Sequence, residues 1–161
     1  MDLATVEQNS LRDRSYRPVA AAMRVLAPHF TSPWVLWVQP YGGNGSSSLF
    51  KLHFKNEDEN KEDSNHPAAM VLDVDPTVIE IPKVILPDHL RHQALMYRAL
   101  EQVVLIAEED GQHVVVSDCV DRYKRSLLAR GATQTPNVAD AVLLHPEMDF
   151  GLSKMSVQST A

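Results

Sequence analysis

Residues 49–55 alternate strictly: Phe50, Leu52 and Phe54 are separated by Leu49, Lys51, His53 and Lys55. Successive side chains of a strand point to opposite sides, so a period of two predicts a strand with one face in a core and one toward water. Trp34-Val35-Leu36-Trp37-Val38-Gln39 is aromatic and β-branched and predicts the strand before it. PYGGNGSSS over 40–48 supplies the turn of the resulting hairpin. Ala68–Val74 and Thr77–Leu86 read as two further strands, turned by Asp75-Pro76. The polar run NEDENKEDSNHP over 56–67 reads as a solvated acidic loop.

The period changes on either side of this block. From Ser15 to Phe30 the apolar residues Val19, Ala22, Met23, Leu26 and Ala27 recur at helical spacing, with Ser15 as the expected cap and Pro18 in the first turn. Residues 1–14 are polar and read as a frayed start or a short helix. After Pro87 the longest helix is expected, with a stripe of Leu90, Ala94, Tyr97, Glu101, Val104, Ile106 and Ala107, flanked by Leu100 and Val103. Gly111 is placed to end it in a left-handed conformation. Val114–Val116 then predicts a buried strand. A helix capped by Asp121 and closed by Gly131 follows, and then a last strand over Ala139–His145. These elements predict an α+β fold: one domain over 1–145, a central, mostly antiparallel mixed sheet of about six strands with helices on both faces. Residues 146–161 carry weak signals and read as a C-terminal tail.

Composition narrows the function classes. The 161 residues are 44% hydrophobic and 22% charged, which is ordinary for a globular domain with a full core. A net charge of −6 argues against broad binding to nucleic acid or anionic membrane, and leaves room for a local basic patch. Cys119 is the sole cysteine, which excludes an internal disulfide and suits a reducing, cytoplasmic setting. The N-terminus has no apolar segment of the secretory kind, and no run is long enough to span a membrane.

The order strand, helix, strand, helix from Thr77 to Gly131 resembles the GNAT-type N-acetyltransferases, and the likeness extends over about 68–145. In that family a strand enters a helix through an Arg/Gln-x-x-Gly-x-Gly/Ala turn whose backbone amides hold the pyrophosphate of acetyl-CoA. Arg91, Ala94 and Met96 stand at the corresponding positions. The resemblance implies an acyl-CoA (acetyl-CoA or another) held by Val84, Leu86, Arg91, His92, Gln93, Ala94, Leu95 and Met96. It implies transfer of the acyl group to an amine, with Glu80 or His89 as the proton acceptor. The strand Glu80–Leu86 would line the pantetheine arm, His113–Val120 would be the next strand, and Leu127-x-x-x-Gly131-Ala132 stands where the family commonly has Tyr-x-x-x-Gly-Phe. Ala94 costs little in dihedrals but adds a methyl where the family has glycine, and Met96 adds a long side chain. Leu127 cannot donate a proton, and Tyr123 lies one turn earlier. These residues equally suit a second class of function, a non-catalytic regulator or inhibitor that docks on another protein. The cluster Arg122, Lys124, Arg125 and Arg130 reads as a solvated outer face or as a patch for an acidic partner or the 3′-phosphate of a CoA, and a homodimer is compatible with the sequence.

Other patterns carry less. His89 and His92 are three apart, a spacing that can hold a metal, but no third ligand accompanies them and no metal site is expected. Gly42–Ser48 lacks the Lys-Ser/Thr ending of a phosphate loop and leads into a strand. Cys119 beside apolar residues reads as a small core residue rather than a nucleophile. Trp34 and Trp37 must point to opposite faces, so one of them is expected to face outward, beside Tyr41.

Overall fold

A computed structural model describes residues 1–42, 45–58, 68–91, 94–136, 138 and 140–151. Helices α1 (Leu3–Ser10) and α2 (Tyr16–Leu26) come first, α2 running into a 3-10 turn over Ala27–His29. Strands β1 (Trp34–Gly42), β2 (Ser48–Asn56), β3 (Ala68–Val74) and β4 (Val78–Val84) follow, then α3 (Leu95–Glu109), β5 (His113–Val116), α4 (Asp121–Ala129), β6 (Thr133–Gln134) and β7 (Val142–Leu144). The described residues form one seven-stranded sheet in the order β1-β2-β3-β4-β5-β7-β6. Every pairing is antiparallel except β4 with β5. This is the expected α+β class, with the two-residue β6 added beyond the sequence reading.

Alternation in β2 works as its period predicts. Phe50, Leu52 and Phe54 are buried and the residues between them are half-buried. The buried side chains of β4 and β5, Ile79, Ile81, Val114 and Val116, belong to the same core cluster. Tyr16 meets Phe50 edge-on at 4.9 Å, which sets α2 on this face, and α3 packs on α2 and β5. The crossovers β4-α3-β5 and β5-α4-β6 advance in the same direction along the sheet, and right-handed connections then put both helices on one side. Tyr97 of α3 and Ser126 of α4 share a hydrogen bond, as that placement requires. All four described helices therefore cover one face, not two as expected.

Several boundaries move for local reasons. Ser15 does not cap α2; its own amide and hydroxyl donate to Asp13, while Asp2 caps α1 by accepting from the Thr5 amide. Pro40 lies inside β1, where an edge strand tolerates a missing N–H. Asp121 begins α4 in its first turn and makes no capping bond. The core of α3 is Leu95, Ala99, Leu100, Val103, Val104 and Ala107, so the stripe is centred on the residues that had been read as its flank. Met148 and Phe150, past the expected end at residue 145, are buried in the core. Among the described residues no helix is long and apolar enough to cross a membrane.

Candidate functional site

Proline at position 82 prepares the site. From Asp73↔Glu80 to Val71↔Lys83, β3 advances two residues and β4 three, so β4 carries an extra residue opposite β3. Proline cannot donate to a ladder and is accommodated inside a sheet at such bulges, which also bend the strand. On its other side β4 pairs with β5 only as far as Ile81↔Val116, and the last bond is donated by the Ser117 amide to the Ile81 carbonyl at 3.1 Å. Beyond it the two chains part.

A cleft of about 750 Å³ opens from this point, lined by Val84, Leu86, Met96, Val120, Tyr123 and Ser126 among others. A smaller hollow of about 320 Å³ adjoins it and shares Val84, Ile85, Val120 and Tyr123. Large apolar side chains are exposed at its rim: Ile85 is 41% and Val120 70% exposed. Arg91, Asp88 and Arg122 also line it; Arg91 is paired with Asp88, which leaves Arg122 as its added positive charge.

The helix start differs from the sequence reading. A 3-10 turn spans Asp88–Leu90 and α3 begins only at Leu95. Ala94, the residue before it, has φ 55° and ψ 18°. This is the left-handed region, where a Cβ is crowded by the following carbonyl. Ala94 therefore carries a dihedral cost that its sequence position did not suggest. Leu95 is buried in the core rather than turned to the cleft. Arg91 donates from Nε to the Leu86 carbonyl at 2.9 Å and pairs with Asp88, also at 2.9 Å. Of the expected cofactor-binding residues, Val84, Leu86, Arg91 and Met96 meet in one cleft, with Ala94 at the adjacent helix start. His92 and Gln93 lie outside the described residues.

The expected proton acceptors stand apart from each other. Glu80 is exposed and accepts from the Ser117 hydroxyl at 2.8 Å, and Ser117 lines the smaller hollow. His89 lies against Trp34 at 4.9 Å, outside the cleft lining. Leu127 is fully buried in the core, so its position cannot face the cleft. Tyr123, one turn earlier, does. Its hydroxyl is buried without a hydrogen-bond partner, and burial pushes its pKa far up, so the group stays protonated at any ordinary pH. Sequence reasoning underrated Tyr123 because the likeness put the tyrosine position at 127. The helical spacing Tyr123, Ser126, Leu127, Arg130 could have shown that these residues share one face.

The basic cluster of α4 is divided by the fold. Arg122 lines the cleft, Arg125 is exposed, and Arg130 lies over the Tyr97 ring at 3.9 Å and donates to the Asp149 carbonyl. Cys119 is buried, contacts the Val116 carbonyl at 3.5 Å, and has its thiol pKa raised by burial, as suits a core residue. Among the described residues no three His, Cys, Asp or Glu side chains are grouped to hold a metal. A hollow of about 300 Å³ on the far side includes Asp75, Asp110 and Gln112. Its carboxylates are occupied: Asp75 accepts from Thr77 and Val78, and Asp110 accepts from Arg17. Compared with protein-family models and with curated proteins, the chain has no match.

Proposed function

We propose that the cleft between β4 and β5 binds an acyl-CoA and that the protein is an N-acyltransferase-like domain of weak activity. The observation that carries this reading is the parting of two parallel strands beyond Ile81↔Val116, directly beside the start of α3. An elongated, mostly apolar arm with a carbonyl fits a cleft lined by Val84, Leu86, Val120 and Tyr123, whose protonated, unpartnered hydroxyl is buried. Arg122 in the lining suits phosphate charge, and the start of α3 beside the cleft adds the positive end of its dipole. The thioester would supply an activated acyl group. Glu80, at the margin of the smaller hollow, takes the proton of an acceptor amine, while Tyr123 holds a proton at Oη for the departing side.

A second reading, binding without turnover, is favoured by Arg91. Its guanidinium is already engaged by Asp88 and by the Leu86 carbonyl, and Met96 narrows the same end of the cleft. Calorimetric titration with acetyl-CoA tests both readings, with thiol release in the presence of an amine separating them. Saturable binding that weakens in Tyr123→Phe is expected. That variant should be as stable as the parent or more so by on the order of 1 kcal/mol, since it removes an unsatisfied buried hydroxyl. No heat at millimolar ligand would sink the acyl-CoA reading in either form.

A further inference from the structure

The sheet face away from the helices carries a second candidate site. Its rows can be read from the strand register: Val35 beside Lys55, Trp37 beside His53, Gln39 beside Lys51, Val71 and Lys83, and Tyr41 beside Leu49, Asp73 and Glu80. No described helix covers this face. Lys83, Gln39 and Tyr41 are exposed, while Leu49, Lys51 and Lys55 are half-buried. Lys51, Lys55 and Lys83 are three of the four lysines among the described residues, and all three project from this one face of a chain with net charge −6. Among the described residues none of them is within ion-pair distance of a carboxylate. Lys51 and Lys55 lie about 13 Å apart along β2, and Lys83 stands two strands, about 10 Å, from Lys51.

We infer that this face docks an acidic polypeptide segment that also carries apolar side chains. Three unneutralised ammonium groups favour carboxylates. Leu49, half-buried one row beyond Lys51, offers apolar contact within reach of the same segment. The aromatic rings argue against single-stranded nucleic acid, which needs open ring faces for base stacking. Lys51 Nζ sits 4.6 Å from the centre of the Tyr41 ring, and Trp37 is stacked on His53 at 5.3 Å with Lys55 Nζ 5.8 Å from its ring. Both sheet edges are poor sites for strand addition. Met1 exchanges backbone bonds with Val38 on β1, Pro40 lacks a donor there, and β6 has only two residues. Lys83 also lines the smaller hollow beside the cleft, while Lys51 and Lys55 line neither.

The test is fluorescence anisotropy on the full chain with a short labelled peptide of alternating glutamate and leucine, and separately with labelled oligo-dT. Saturable, salt-sensitive peptide binding is expected, weakened about tenfold or more when Lys51, Lys55 and Lys83 are all changed to glutamate. These residues are solvent-facing, and an unchanged circular dichroism spectrum and melting temperature would show that the triple variant folds. Absent peptide binding, binding unaffected by the triple change, or binding of oligo-dT instead would each overturn the inference. So would self-association through this face, read as a dimer by light scattering that the triple change dissociates.

Discussion

Ala94 is the residue whose meaning changes most between sequence and fold. By its place in the chain it is a good helix former near the start of an apolar stripe, yet it holds a left-handed backbone one position before α3. A β-carbon in that conformation costs roughly 1–2 kcal/mol, partly offset in a glycine variant by the greater freedom of the unfolded chain. Ala94→Gly is therefore expected to raise stability by about 0.5–1 kcal/mol in urea unfolding, against the usual trend for glycine beside a helix. A loss of stability in that variant would contradict the left-handed assignment. Residue types alone could not reveal this, because the dihedral at 94 is set by how the 3-10 turn at Asp88–Leu90 and the buried Leu95 must be joined.

At the scale of elements, α4 shows how a pattern can be read correctly and still be assigned the wrong neighbour. Its span and its closing Gly131, with φ 111°, follow from the sequence. Which of its residues meets the cleft does not. Leu127 is fully buried in the core and Tyr123 lies on the cleft: the two share one helix face, and Tyr123 sits one turn nearer the start of α4, beside the parting of β4 and β5, while Ser126 and Arg130 hold that face against Tyr97 of α3. Leu127→Tyr, which the family likeness would suggest as a repair, is accordingly expected to create no activity. It should destabilise the fold by about 1–3 kcal/mol through overpacking. Thermal unfolding together with a thiol-release assay checks this, and a stable variant with raised turnover would return the catalytic position to 127. The bend in β4 is of the same kind. Pro82 is visible in the sequence, but its effect needs β3 on one side to accept a bulge and β5 on the other to let go.

The whole molecule is clipped together by a few short polar links around one core, and these set its response to acid. Asp75 accepts from the amides of Thr77 and Val78, and these bonds hold its pKa below the ordinary value of 3.8. The same residue's carbonyl accepts from Gln112, tying the β3–β4 turn to the loop between α3 and β5. A carboxylate with a lowered folded pKa contributes stability above its unfolded value and loses it as pH falls through the folded value. Stability should therefore decline below about pH 4. Asp75→Asn should show a slightly lower plateau near neutrality and a shallower decline in acid. Parallel pH profiles of the melting temperature for the two proteins would rule this out. The sequence by itself determined the α+β class, six of the seven described strands and helices α2, α3 and α4, since periods of 2 and 3.6 are properties of local backbone geometry. It also placed the turns at Asp75-Pro76, Gly111 and Gly131, whose residue types act within a few positions of themselves. Only the tertiary structure decided the rest. It put the described helices on one face and set Lys51, Lys55 and Lys83 together on the other. It parted β4 from β5 and turned Tyr123 rather than Leu127 to the cleft. Each of these depends on crossover handedness, strand register or where a helix lies along the sheet, and those are fixed by contacts between segments far apart in the chain.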